Sequence, residues 1–428
     1  MSATGPPVVP ASGSSHETKP EPQLPAAEPL SPVGLDPDAP TPTAEIELAL
    51  KRTIKSVLDF TNWEQGGSLT GLRKVQEYLA ISIQDHKRVL RSIRKELLPE
   101  LASLPNAPAG AGVYRARDED LRIARRSVLL SGKMTAVRGA SIGHNSLAAS
   151  LISVGVSTTR YDGEIRSWRT FFMRHDCDIR TTNPLEEIRT ILDQKARRST
   201  VGPGARGQDT ITRLMRRAFQ SAAERKCLLE RGGPGWRMGY GVPAPYDLLT
   251  GSGSMGLIDA VLPVLEDLLL TERRWVFIPD SLSSLAFTQL AGALQPGELA
   301  IIQKAKPTFD AIVDSGHYDS ASRAKIKKFV NRAGEAIVIG GFRATPYAPP
   351  QLFFAHAEHA VHAGLVAMAD AEFQPHRGFP LLLELAGMSC STSLGIEAFQ
   401  ATVESTYASA GAGGLYSSAG VILPEPGE

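Results

Sequence analysis

The chain has 428 residues, 42% hydrophobic and 21% charged, with 46 Lys+Arg against 45 Asp+Glu. That length allows two or three domains, and the apolar fraction excludes a wholly disordered chain. A net charge of +1 excludes a bulk polycation that coats nucleic acid without a local patch. Cys177, Cys227 and Cys390 are widely spaced with no CxxC pair, which argues against a disulfide framework or a Cys-based zinc site. The N-terminus shows neither a basic n-region nor an apolar h-region. The best apolar run, Leu257 to Leu270, is broken by Asp259, Pro263, Glu266 and Asp267. A soluble cytoplasmic protein is expected.

Residues 1–43 hold 11 of the 30 prolines and few bulky apolar side chains, the composition of a disordered tail. Helical periodicity begins at Glu45. Two helices, about 45–60 and 69–98, form an expected N-terminal arm over 44–110, the second carried by Leu72, Val75, Leu79, Ile83, Leu90, Ile93 and Leu97. A main domain is expected over 111–410. Residues 127–137 and 147–158 read as strands, followed by a third at Trp168 to Arg174, in an antiparallel meander. Helices are then expected at Pro184 to Arg198 and Gln208 to Glu230. The Gly/Pro-rich stretch GGPGWRMGYGVPAP reads as a loop. Next come a helix at 255–272, a strand at Trp275 to Pro279, a helix at Leu282 to Leu294, and a strand at Glu298 to Gln303. A helix at 318–333, strands Ala336 to Phe342 and Gln351 to Ala355, and closing helices complete the series, with a tail at 411–428. A meander followed by alternating helices and strands is the order of a mixed α/β sheet covered on both faces.

Charge is unevenly spread. Residues 51–130 carry 15 basic and 9 acidic side chains, 160–240 carry 17 and 10, and 331–428 carry 3 and 9. Arginine dominates the middle block, where Arg197, Arg198, Arg213, Arg216 and Arg217 are the candidates for binding DNA phosphates through their planar forks.

No GxxxxGK[ST] loop is present. His356, Glu358, His359 and His362 form the densest group of metal-ligand types, weighed against ordinary helix packing. Asp280 follows the apolar strand WVFIP, and Glu266 and Asp267 lie on the preceding helix. Carboxylates so placed can supply a hard cation with oxygen ligands, while capping by Asp280 of the next helix is the competing role.

In the order of these parts, residues 115–390 resemble the NurA family, DNA-end-processing nucleases with an RNase H-like core that work beside a HerA-type hexameric translocase. Trp275 to Ser284 (WVFIPDSLSS) looks like the family segment in which a strand ends in Asp-Gly-x-Leu. His376 to Gly387 (HRGFPLLLELAG) is similar to the late segment where an aromatic-Pro pair opens a Leu-rich helix. The resemblance implies Asp280 and Glu266, with Asp267 and Asp259 competing for the helix position, as catalytic and metal-binding residues for Mn²⁺ or Mg²⁺, and metal-dependent hydrolysis of DNA. Its implied partners are DNA and a HerA-like ATPase, and a homodimer is the expected assembly. Two departures stand out. Ser131, within Leu130-Ser131-Gly132, takes the place of the family's first-strand Asp, and Gly387 the place of a His. Either Asp118, Asp120 or Asp162 supplies the missing oxygen, or the chain is a catalytically inactive DNA-binding scaffold of the same kind of assembly.

Overall fold

The computed structural model describes residues 53–63, 69–145, 149–175, 208–253, 255–279, 284–316, 318–415 and 421–422, with positions 47, 185, 186 and 189. The expected tail over 1–43 and most of the expected helix at 184–198 lie outside these residues. Its strands are β1 (Gly112–Arg115), β2 (Met134–Asn145), β3 (Ala149–Thr159), β4 (Ile165–His175), β5 (Trp236–Tyr240) and β6 (Trp275–Ile278). They continue with β7 (Glu298–Lys304), β8 (Ile337–Arg343), β9 (Gln351–His356) and β10 (Val421–Ile422). The helices are α1 (Ile54–Leu58), α2 (Leu69–Ser92), α3 (Asp118–Ala124), α4 (Gln208–Arg231), α5 (Tyr246–Leu249) and α6 (Met255–Glu266). After them come α7 (Leu285–Gly292), α8 (Lys306–Ser315), α9 (Ser320–Ala336), α10 (Ala360–Ala371), α11 (Leu381–Leu394) and α12 (Ile396–Ser409).

All ten strands share one sheet, in the order β1-β7-β8-β9-β6-β5-β2-β3-β4, with β10 pairing the far end of β2. The meander β2-β3-β4 is antiparallel, with Gly139 opposite Val156 and Val156 opposite Trp168. The chain then crosses over through α4 to β5, which lies parallel to β2, and through α6 to β6, parallel to β5. Parallel neighbours need such helical crossovers because a tight turn cannot reverse the chain direction twice. Within β4-β3-β2-β5-β6 only β3 runs against the rest, the RNase H-like arrangement of a mixed sheet. β9, β8, β7 and β1 extend it antiparallel from β6.

Both faces are covered, so the central strands are apolar on both sides. On β6, Val276 and Ile278 point into one core with α3, α10 and α11, while Trp275 and Phe277 point into the other with α6, α8 and α9. A third cluster joins Leu98 and Leu101, beyond the end of α2, to Leu290 and Leu294 at α7. No described helix is long and apolar enough to cross a membrane.

The meander and the alternating half agree with the sequence. Several local readings do not, among them the helix expected at about 45–60, of which the described part is helical only over Ile54–Leu58 and Phe60–Asn62. Residues 125–129 are a π-helical turn continuing α3, so the expected strand at 127–137 begins only at Met134. Its apolar run Val128 to Leu130 satisfies a helix end as well as a strand, with Leu129 fully buried. The stretch read as a Gly/Pro-rich loop contains the central strand β5. The expected tail at 411–428 contributes β10.

Candidate functional site

The site forms where β2 and β5 run side by side. Their register pairs Val137 with Gly239, which brings Arg138 beside Tyr240. The Arg138 guanidinium carbon lies 4.2 Å from the centroid of the Tyr240 ring, a cation–π contact. Tyr240 meets Phe379 edge-on at 6.3 Å. The guanidinium side of Arg138 has room because α11 passes with a glycine. A Cβ on Gly387 would sit 2.9 Å from Arg138 Cδ and 3.1 Å from its Nη1.

On the other face, α4 lays a polar stripe across the same strands. Gly139 donates its amide to Glu224 Oε1 at 2.7 Å, and a Cβ on Gly139 would fall 2.8 Å from that oxygen. Glycine is therefore what admits the carboxylate. Ser141 donates to Gln220 Oε1 at 2.8 Å, one helical turn away. Arg225 is fully buried. It donates to Glu224, to Pro243 O at 3.3 Å, to Tyr240 O at 3.2 Å and to Val242 O at 2.6 Å, clamping the chain as it leaves β5. Asp247 on α5 is buried and lies 3.4 Å from Arg217 Nε.

Burial pushes the Glu224 carboxyl up, opposed by Arg225, the Gly139 amide and Arg138. Burial likewise raises Asp247, opposed by Arg217 and Arg225. Arginine stays protonated in such settings, so each carboxylate is held by a fixed cation. Three guanidinium groups (Arg138, Arg217, Arg225) surround two carboxylates (Glu224, Asp247). Both carboxylates are already engaged. These residues do not fit a divalent cation, and among the described residues no group of three His, Cys, Asp or Glu side chains is placed to hold one.

The residues expected from sequence are scattered. Ser131 is not on the first strand. It sits in the turn after the π-helical segment and donates to Ser127 O at 2.8 Å, so the first-strand residue preceding a glycine beside β5 is Arg138. Glu266 ends α6 and accepts from Arg332 Nη1 of α9 at 3.1 Å. Asp280 itself lies outside the described residues, as do Arg197, Arg198 and the side chain of Arg213. Arg216 is 1% exposed and donates to Ser141 O at 3.4 Å, so the helix turns it inward rather than to a phosphate, while Arg217 lies against Asp247 with its side chain 38% exposed.

The alternative oxygen donors are engaged as well. Asp120 accepts from Arg117, and Asp162 from Arg160. Asp118 opens α3. In the histidine group, His356 Nδ1 accepts from the Glu358 amide at 3.3 Å, while Glu358 pairs with Arg273 at 2.8 Å. Sequence reasoning missed Arg138, Tyr240, Glu224, Arg225 and Asp247. The signal that was present is the Arg-Gly pair inside an alternating strand, since glycine in a strand marks close approach by another group.

No family model matches the sequence, and no curated protein matches it. Solved structures do resemble the fold. The NurA nuclease from Sulfolobus solfataricus is 10% identical, with 79% of this chain and 98% of that one covered at a TM-score of 0.38. A NurA structure with manganese is 10% identical, covering 71% and 94% at 0.34, and one bound to dAMP and manganese is 9% identical, covering 74% and 92% at 0.35.

Proposed function

We propose that this chain is a nuclease-derived subunit that binds DNA without cutting it, the catalytically inactive scaffold among the readings open from sequence. One observation carries the reading. Arg138 occupies the point where β2 meets β5, stacked on Tyr240 and accommodated by Gly387. A cation in that place opposes a metal ion and favours a phosphate. Asp280 with Glu266 on Mn²⁺ or Mg²⁺ remains the rival arrangement, and the engagement of Glu266 by Arg332 speaks against it.

DNA contact is proposed at the outer strand β4 rather than along α4. β3 and β4 carry no carboxylate, while β4 carries Arg166, Arg169 and Arg174. Trp168 is 40% exposed with Arg231 6.0 Å from its ring, and Phe171 is 56% exposed with Arg169 at 5.3 Å. On the face shared by Trp168, Arg166 and Arg231, an exposed ring beside arginines suits a stacked base and an adjacent phosphate, while Phe171 and Arg169 lie on the opposite face of the strand. A HerA-like ATPase is the proposed partner on the strength of the sequence resemblance.

Mn²⁺ titration tests the reading directly. The wild-type chain should bind single-stranded DNA equally well with Mn²⁺ or with EDTA, and should bind little Mn²⁺ by calorimetry. Arg138→Asp should raise Mn²⁺ affinity by at least ~10-fold, because it exchanges a cation for an oxygen ligand. Tight Mn²⁺ binding by the wild type would overturn the proposal.

A further inference from the structure

β4 closes one end of the sheet, and among the described residues nothing pairs with its outer edge. It is 11 residues long, in unbroken register with β3 from Ala149 opposite His175 to Thr159 opposite Ile165. The other end of the sheet is β1, of 4 residues. Proteins keep edge strands short, or place proline, lysine or a bulge there, because free N–H and C=O groups invite another strand. β1 obeys that rule by its length. β4, IRSWRTFFMRH, has neither proline nor lysine nor bulge.

The side chains are as open as the backbone. Between 165 and 173 every residue except Phe172 is exposed. Ile165, Phe171 and Met173 share one face of the strand, where the Phe171 ring stacks on Phe399 of α12 at 6.3 Å and Arg169 donates to Ser393 O at 3.4 Å. Arg166 and Trp168 share the other face, with Arg231 of α4 beside the Trp168 ring. One side of the edge is therefore an apolar stripe and the other is cationic.

We propose that the outer edge of β4 is a strand-addition site for an extended segment of a partner protein in which apolar and acidic residues alternate. Main-chain hydrogen bonds to the edge supply affinity, and the alternating side chains supply specificity. Residues opposite one another in paired strands share a face, so one side of the added strand meets Ile165, Phe171 and Met173 and must be apolar. Its other side meets Arg166 and Arg231 and must be acidic. A second copy of this chain fits poorly there, because β4 holds three arginines and no carboxylate, and self-pairing gathers cations with no anion to answer them. A nucleic acid lacks the run of alternating N–H and C=O groups that an edge requires. The proposal rests on strand pairing, not on the DNA contact at Trp168, and its test uses no DNA.

The probe is a labelled synthetic peptide of alternating Glu and Val, as long as β4, titrated with the full chain by fluorescence anisotropy. It should bind in the micromolar range. The same peptide with its amides N-methylated, and one with Lys in place of Glu, should each bind at least ~10-fold more weakly, since the first loses its donors and the second its charge match. Phe171→Asp should weaken binding at least ~10-fold at an unchanged melting temperature. Hydrogen exchange read at β4 should show amides that gain protection only when the Glu/Val peptide is added. Absence of binding, binding that survives N-methylation, or equal binding of the Lys peptide would overturn the proposal. So would β4 amides already protected in the free chain, by its own residues or by a second copy.

Discussion

Tyr161, in the turn between β3 and β4, donates its phenolic hydrogen to Asp370 at the buried end of α10. Asp370 also accepts the Leu382 amide at 3.0 Å, so one carboxylate joins the meander to α10 and α11 beneath the Arg138 site. Burial raises its pKa from 3.8 to about 6, against the pull of both hydrogen bonds. A carboxyl whose folded pKa is raised binds a proton more readily folded than unfolded. Its contribution therefore favours the folded chain at low pH and is lost as pH rises from about 4 to about 6. Compared with Asp370→Asn, the wild type should lose about 3 kcal/mol of stability between pH 4 and pH 7. Urea melts of the two proteins at several pH values measure the difference, and parallel curves would refute the assignment.

Gly387 and Arg138 should couple. Alanine in place of a helical glycine gains about 1 kcal/mol of helix stability, but here its Cβ meets Arg138 at 2.9 Å. Gly387→Ala should thus be neutral or destabilising with Arg138 present and stabilising by ~1 kcal/mol in an Arg138→Ala background. A double-mutant cycle by denaturant unfolding should give at least ~1 kcal/mol of interaction. Strict additivity would show that the two side chains do not share the space.

Glu224 is predicted to be structural. Replacing it with Ala strands the buried Arg225 guanidinium and the Gly139 amide, a loss of about 3–5 kcal/mol. Gln keeps an oxygen for Gly139 and should cost less than Ala. Thermal melts ordered wild type, Gln, Ala from most to least stable fit this account, and an Ala variant as stable as the wild type does not.

Trp168→Ala should weaken single-stranded DNA binding about 5- to 100-fold, the range for loss of one stacking platform, with little change in melting temperature. Fluorescence anisotropy with a labelled oligonucleotide measures it. The same change at buried Arg216 should lower stability first, which distinguishes the β4 surface from α4.

Much of the fold was legible because its strands are bounded by turn residues and its helices carry a clear apolar stripe. β3 and α4 lie within two residues of their expected limits. The site was not legible because it depends on β5. Trp236 to Tyr240 is short, buried between parallel neighbours and flanked by Gly and Pro, so it shows neither the alternation nor the length that marks a strand. Without β5 no neighbour exists for Arg138, and its contact with Tyr240 cannot be read from the sequence. Glu224 and Arg225, adjacent on a charged helix, look like solvated residues. Only the approach of α4 to Gly139 shows that they are buried.

The central proposal is that Arg138 beside Tyr240 serves DNA binding without metal-dependent cleavage. Cleavage of end-labelled linear and single-stranded DNA by the purified full chain with Mn²⁺, compared with Asp280→Asn, tests it most directly. The account predicts DNA binding by both proteins and no cleavage by either. Mn²⁺-dependent cleavage by the wild type that falls at least ~100-fold in Asp280→Asn would contradict it and place catalysis at Asp280.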